Sequence, residues 1–408
     1  MPLIRVASIS QRWQRAFAPW TFFGGVAAGF GALCLLGWRA SHENSHADFT
    51  RFTQWIAPET QYFPTAEEIA NIVRSRASPE KILVVVGGNS VLYGVGQPRD
   101  EVWTKYLQQV LGHRYSVVNL ALRGSLPSDG GAVIAEILRK EYPRQIYIAN
   151  PSLNQPLIPD GSNVYRFIFW DAWYKGLLMP DPTRMAAIAA SHEIAAYHEG
   201  IGELQARMWL DHIFYFQDFW NRFTLLHLNT VWGSYTPGLG SFLQARAKYP
   251  DPEADFLSVP ESKRFPSYRD EDELTIIRAW DRSAIKHGKI PTRNWVPDTI
   301  KWRQFTESIN AGFPQALKAR TLMLLGRNGP HYYLRLNRDD QERDNLAYHF
   351  AVRKWQEGGY ECMEFGADFT NDDYGDRVHL TSHGGIKLAS LVADKVREMS
   401  VKLGYLKP

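Results

Sequence analysis

A run of β-branched residues that leads into two glycines constrains the fold of this chain more than any other feature. Residues 81–86 read Lys-Ile-Leu-Val-Val-Val and continue directly into Gly87-Gly-Asn-Ser90. A continuous apolar run of this length is typical of a strand buried on both faces, as in a parallel sheet. Similar short runs at 116–120, 145–149 and 320–325 alternate with helical stretches. The sequence therefore predicts a doubly wound α/β sandwich built on a parallel sheet.

A 23-residue stretch without charged side chains lies near the N-terminus, at 16–38. About 20 apolar residues cross a bilayer as a helix, and the arginines that precede this stretch predict a cytoplasmic N-terminus. We therefore expect a single-pass helix in the cytoplasmic membrane, with the rest of the chain on the periplasmic side. The alternative is a cleaved signal peptide, with Ser45 and Ala47 as a weak cleavage site.

The α/β alternation breaks between 156 and 302, where aromatic residues recur at helical spacing. This pattern predicts a mainly helical insertion, whose aromatic side chains would form core packing, a membrane-surface contact or a sugar-stacking face. The predicted segments are a cytoplasmic N-terminus (1–15), a transmembrane helix (16–38), a linker and leading helix (39–79), an α/β domain in two parts (80–155 and 303–408) and the insertion (156–302).

Composition excludes several classes of function. The 46 basic and 43 acidic residues are mixed along the chain without long runs of one sign, so no nucleic-acid partner is expected. Only Cys34 and Cys362 are present, and the 12 histidines show no ligand spacing, so no metal is expected. The 326–330 loop lacks the lysine and hydroxyl residue of a phosphate-binding loop, and no cofactor is predicted.

Three residue types of hydrolytic catalysis occur in suitable places. Ser90 follows the first buried strand, where glycines allow a tight turn that exposes its hydroxyl. Asp376 lies three residues before His379, shortly ahead of the last predicted helix. A carboxylate at this spacing can orient the histidine ring while the other ring nitrogen faces the serine. The sequence therefore predicts a catalytic triad of Ser90, His379 and Asp376.

These motifs resemble the SGNH (GDSL-like) hydrolase superfamily. Its first block, Gly-Asp-Ser-x-x-x-Gly, is similar to 88–94, with Asn89 in place of Asp. Its last block, Asp-x-x-His before the final helix, is matched by Asp376 and His379. The resemblance covers about half of the chain and implies an SGNH-type three-layer α/β/α fold and acyl-ester chemistry at a serine.

The resemblance also implies where an oxyanion hole lies. The family's second block contributes a glycine amide, and Gly124 at the end of 119–124 fits that position. The third block, Gly-x-Asn-Asp, is not matched cleanly, so its asparagine is either Asn150 or Asn154. Arg123, beside the glycine, is a candidate for binding an anionic substrate or for a structural ion pair.

An N-terminal anchor and an altered third block also resemble the DltD-like and AlgX/AlgJ-like proteins. That resemblance implies esterase or O-acyltransferase activity on an acylated glycan or cell-envelope polymer, alongside a membrane-bound O-acyltransferase.

Two alternatives without chemistry stay open, a scaffold with an SGNH fold and a carbohydrate-binding module. In those readings Ser90 is only a helix N-cap and the Asp376–His379 pair is a surface pair. His383 is the fallback base if His379 is not used.

Overall fold

The computed structural model describes the N-terminal helix and most of the α/β part of the chain. The described residues are 19–42, 55–57, 60–61, 65–97, 101–122, 125–151, 167–179, 181–186, 214–215, 219, 307, 309–334 and 336–407. Most of the predicted insertion therefore lies outside the described residues.

The described helices and strands follow the chain in this order: α1 Pro19–His42, β1 Trp55–Ala57, β2 Thr60–Gln61, α2 Ala66–Arg76, β3 Ile82–Val86, α3 Ser90–Tyr93, α4 Trp103–Leu111, β4 Tyr115–Asn119, α5 Gly130–Leu138, β5 Gln145–Ala149, α6 Phe167–Tyr174, β6 Thr321–Gly326, α7 Pro330–Tyr333, α8 Arg338–Glu357, β7 Glu361–Phe365 and α9 Ser382–Lys402. Two 3₁₀ turns lie at Gln315–Arg320 and Asn371–Asp373. The predicted strands and the leading and final helices are confirmed, with ends that differ by one or two residues.

The central sheet has five parallel strands in the order β4-β3-β5-β6-β7. The chain leaves β3 for β4 on one side and then returns to form β5 on the other side. In sheets of this order, the crevice between the strands that come first and third along the chain, here β3 and β5, is the usual place for a ligand. The prediction of an α/β fold with a parallel sheet is confirmed, and its crevice lies at the carboxyl ends of β3 and β5.

Helices cover both faces of this sheet. Along β3, the side chains of Ile82, Val84 and Val86 join a core with α4 and α9, whereas Leu83 and Val85 join a core with α2, α5, α6 and α8. All five residues are at most 2% exposed. Because successive side chains of a strand point to opposite faces, a strand covered on both faces must be apolar throughout. This explains the uninterrupted run that the sequence shows.

Helix α2 begins at a capping box, as the Thr65-Ala-Glu-Glu68 pattern predicts. The amide of Glu68 donates to Thr65 Oγ1 at 3.2 Å, and the amide of Thr65 donates to Glu68 Oε2 at 2.8 Å. The next amide, that of Ala66, donates to the buried carboxylate of Asp171 in α6 at 2.7 Å. This hydrogen bond connects α6 to the start of α2, next to the capping box.

Among the described residues, one helix is long and apolar enough to cross a membrane. The qualifying span is Pro19–Ala40, slightly later than the predicted 16–38, and only 6% of its most apolar window is buried. Large apolar side chains such as Trp20, Phe23 and Leu35 are more than half exposed. At its other end Ala40 is buried, and the rings of Phe30 and Phe214 pack edge to face at 4.7 Å. The helix is therefore apolar and outward-facing, yet it contacts the rest of the chain.

Candidate active site

Ser90 lies at the carboxyl end of β3, at the first position of the short helix α3. The N-cap of α3 is Asn89, whose Oδ1 accepts a hydrogen bond from the amide of Val91 at 3.0 Å. The helix ends at Gly94 in the left-handed conformation, with φ +86°. We call residues 87–94 the serine turn. A short, capped turn at the end of a buried strand fixes the direction of the serine side chain.

A pair of asparagines ties the serine turn to the next strand of the sheet. The amide of Asn89 donates to Asn150 Oδ1 at 3.0 Å, and Asn150 Nδ2 donates to Asn89 Oδ1 at 2.7 Å. Backbone amides can only donate, so these contacts fix which end of each carboxamide is oxygen. Asn150 follows β5 directly and is 5% exposed. The structure therefore brings Asn150, one of the two candidates from sequence, to the serine turn.

Gly88 makes this close approach sterically feasible. Its φ is +87°, a conformation that side-chain-bearing residues rarely adopt. A Cβ at this position would lie 2.5 Å from Asn150 Oδ1 and 2.8 Å from the amide nitrogen of Asn150. The first glycine of the family-like block is thus required for both conformation and space.

His379 is presented by a tight loop before α9. Tyr374 and Leu380 form an antiparallel bridge, and the amide of Gly375 donates to the carbonyl of His379 at 2.8 Å. We call residues 374–380 the histidine loop. Its other side is fastened to the loop after β6, because the amide of Gly329 donates to the carbonyl of Arg377 at 2.7 Å.

The predicted triad residues lie within hydrogen-bond distance of one another. His379 Nε2 lies 2.8 Å from Ser90 Oγ, and His379 Nδ1 lies 2.5 Å from Asp376 Oδ2. The other carboxylate oxygen, Oδ1, accepts the amides of Val378 at 2.8 Å and His379 at 2.7 Å. The histidine side chain is 18% exposed and the aspartate side chain 5%. The ring is thus oriented by a buried carboxylate and still reaches solvent.

The pKa of Asp376 is held well below its usual range. Burial alone would raise this pKa, but the charge of His379 and hydrogen bonds from its ring and from two backbone amides outweigh burial. Asp376 therefore stays ionised at neutral pH. An ionised, buried carboxylate can hold the proton of the ring at Nδ1, which leaves Nε2 as the proton acceptor facing Ser90.

A second buried carboxylate, that of Asp373, lies next to the histidine loop and stabilises it. Asp373 accepts a hydrogen bond from Lys387 Nζ at 2.7 Å, and its carbonyl accepts the amide of Thr381 at 3.0 Å. His383 Nδ1 lies 2.8 Å from Asp373 Oδ1, and the His383 side chain is 61% exposed. The fallback base is therefore paired with Asp373, away from the Ser90–His379 contact.

One residue that joins the two parts of the site, Gln97, could not be identified from the sequence. Gln97 is fully buried, and its Nε2 lies 3.3 Å from the carbonyl oxygens of both Leu380 and Thr381. Its Oε1 accepts the amide of Trp103 at 2.9 Å. No motif marks a glutamine in this loop, and the two carbonyl groups near its Nε2 are more than 280 residues away in sequence.

Other predicted site residues lie outside the described residues, namely Arg123, Gly124 and Asn154. Their roles as substrate-binding or oxyanion residues stay predictions. Among the described residues, no three His, Cys, Asp or Glu side chains are grouped so that they could hold a metal ion.

Comparison of the chain with protein-family models, with curated proteins and with solved structures gives no match.

Proposed function

We propose that this chain is a membrane-anchored serine esterase or O-acyltransferase of the SGNH type, acting on acyl esters of a cell-envelope glycan or polymer. The observation that carries the proposal is the continuous Ser90–His379–Asp376 hydrogen-bond chain at the carboxyl end of the sheet. Serine, base and orienting acid in this arrangement are the minimum that nucleophilic acyl transfer needs. The SGNH assignment is supported by the sheet order and by the placement of each residue along it.

In the proposed mechanism, His379 Nε2 takes the proton of Ser90 Oγ as the oxygen attacks the ester carbonyl carbon. The resulting tetrahedral oxyanion collapses, the leaving alcohol takes the proton from His379, and an acyl-serine ester is formed. Water or a sugar hydroxyl then gives a proton to His379 and attacks the acyl carbon, and the Ser90 oxygen takes the proton from His379 as it leaves. Asp376 keeps the ring oriented and stabilises its charged form in both halves of the reaction.

The oxyanion is stabilised by donors around the serine turn. The amides of Asn89 and Val91 are engaged by side-chain oxygens, whereas among the described residues the amide of Ser90 between them has no acceptor. Asn150 Nδ2 has a second N–H besides the one given to Asn89. We assign the oxyanion to the amide of Ser90 and to Asn150, with Gly124 as the third donor expected from the resemblance.

The proposed location and partners follow from the apolar helix and from the resemblance. Helix α1 would anchor the chain in the cytoplasmic membrane, with the catalytic part in the periplasm. A membrane-bound O-acyltransferase is the proposed partner, since it would supply acyl groups at the same membrane. The non-catalytic scaffold reading would be favoured by a serine turned away from its histidine, and the 2.8 Å contact gives it no support.

A fluorophosphonate probe tests the proposal directly, because it labels only an activated serine. We expect the full chain in detergent to be labelled at Ser90, and labelling to disappear in Ser90→Ala and in His379→Ala. Ser382→Ala is a matched control at another loop-to-helix junction and should be labelled like the unmodified chain. Absence of labelling in a well-folded chain, or labelling that persists in Ser90→Ala, would refute the proposal.

A further inference from the structure

The two parts of the site come from distant parts of the chain and need a connection that sets their spacing. The serine turn follows β3, whereas the histidine loop lies between β7 and α9. Ser90 and His379 are 289 residues apart in sequence. A serine and its base must be held within a few tenths of an ångström for efficient proton transfer. The Ser90–His379 hydrogen bond cannot do this by itself, because it changes partners during the reaction.

Gln97 bridges the backbone of both parts. Its amide donates to the carbonyl of Gly94 at 3.1 Å, and Gly94 donates in turn to the carbonyl of Ser90 at 3.2 Å. Its side-chain Nε2 is shared between the carbonyl oxygens of Leu380 and Thr381, the two residues that follow His379. One residue thus connects the end of the serine turn with the end of the histidine loop.

The surroundings of Gln97 keep its carboxamide in place. The amide of Trp103 donates to Oε1, which fixes Nε2 toward the carbonyl oxygens. A Cβ on Gly385 would lie 2.8 Å from Gln97 Nε2, and a Cβ on Gly94 would lie 2.9 Å from its Oε1. Two glycines therefore make the space that this fully buried side chain fills. A buried carboxamide with both ends hydrogen-bonded is held in one orientation.

We propose that Gln97 is a positioning residue that sets the distance between Ser90 and His379. It contacts neither reacting atom and acts through the backbone of the serine turn and the histidine loop. The inference deepens the proposed function and rests on it for its catalytic consequence, but the geometry of the Asp376–His379 pair reports on it without catalysis.

The test replaces Gln97 with methionine, which keeps the length of the side chain and removes its donor and acceptor. Gln108→Met is the matched control, because Gln108 also donates from Nε2 to two carbonyl oxygens, those of Gly112 and Tyr115, and accepts the amide of Val117. Gln108 lies in α4 near the amino end of β4, at the opposite edge of the sheet from the site.

In the full chain, we expect Gln97→Met to lower kcat on an ester substrate by about 10- to 100-fold with little change in KM. The rate of fluorophosphonate labelling should fall in parallel. The low-field proton NMR signal of the Asp376–His379 hydrogen bond, assigned by its loss in His379→Gln, should shift or broaden in Gln97→Met. Gln108→Met should leave kcat, labelling and this signal unchanged, even if its thermal stability falls.

The outcomes separate the two proposals. Full turnover with an unshifted NMR signal in folded Gln97→Met overturns the positioning role and leaves the serine chemistry standing. A shifted signal in Gln97→Met, in a chain whose Ser90 cannot be labelled, supports the positioning role and refutes the proposed function. Equal losses in Gln97→Met and Gln108→Met would reduce Gln97 to an ordinary stabilising contact and also overturn the inference.

Discussion

The serine turn and the histidine loop meet at one site but are held by different kinds of interaction. The serine turn continues a central strand and is braced by neutral carboxamides, those of Asn89 and Asn150. The histidine loop follows an edge strand and is braced by two buried carboxylates, Asp373 and Asp376. Ser90 is therefore positioned by the sheet, whereas His379 is positioned by charge. The two halves should respond differently to mutation and to pH.

The largest expected effect is on the histidine loop, the part of the site that buried carboxylates stabilise. Asp376→Asn keeps the shape of the side chain but cannot stabilise a charged ring and favours the wrong tautomer of His379. We expect kcat to fall by about 10⁴-fold with a small change in KM. Steady-state kinetics on an ester substrate would measure this. A loss of less than about tenfold would mean that the buried carboxylate does not orient the base.

The second-largest expected effect is on the serine turn, the part of the site that neutral carboxamides stabilise. Asn150→Ala removes the acceptor of the Asn89 amide and a proposed oxyanion donor, so kcat should fall by about 100-fold. Gln145→Ala is the matched control, because Gln145 is also buried and lies at the other end of the same strand, bonded to the carbonyl of Ala135. Both variants should lose about 1–3 kcal/mol of stability in urea unfolding. Similar kcat losses in both would contradict a special role of Asn150.

A smaller effect is expected for substitution of Gly88, and the quantity measured is the free energy of unfolding. Gly88→Ala meets both an unfavourable φ and the overlap with Asn150, whereas Gly404→Ala meets only the unfavourable φ, of +72°, in open space. We expect Gly404→Ala to cost about 1 kcal/mol and Gly88→Ala about 2 kcal/mol more. Chemical denaturation of the two variants measures the difference. Equal costs would show that the serine turn can move away from Asn150.

The smallest expected effect distinguishes the two halves by pH. Burial would raise the pKa of Asp373, but hydrogen bonds from Lys387 and Thr370 outweigh it, so the pKa lies below its usual 3.8, as does that of Asp376. Because folding lowers these pKa values, the stabilisation is present above about pH 4 and is lost as the pH falls through the folded-state values.

Hydrogen exchange followed between pH 5 and pH 2.5 checks this difference. Protection of the histidine-loop amides should fall earlier than that of the serine turn, whose braces do not titrate in this range. Simultaneous loss of protection in both segments would mean that the serine turn and the histidine loop unfold together and are not independently stabilised.

The parallel sheet and the proximity of Ser90, His379 and Asp376 could be predicted from the sequence because their signals are local. The strand β3 is a continuous apolar run, Ser90 follows it directly, and Asp376 precedes His379 by three residues. The contacts of Asn150 with the serine turn and of Gln97 with the histidine loop could not be predicted, because these partners lie 61 and 283 residues away in sequence and only the sheet order brings them close. The pairing of Asn150 with Asn89 could not be predicted for the same reason, since it depends on the register of the strands.

The long separation between Ser90 and His379 has a consequence for the growing chain. Synthesis proceeds from β3 toward α9, and closing a loop of 289 residues is opposed by chain entropy until the later strands dock. A nascent or half-folded chain that has paired only β3, β4 and β5 carries Ser90 without His379. Under the proposed function such a chain would be inert, and the onset of hydrolytic activity would report that β6, β7 and α9 have joined the sheet.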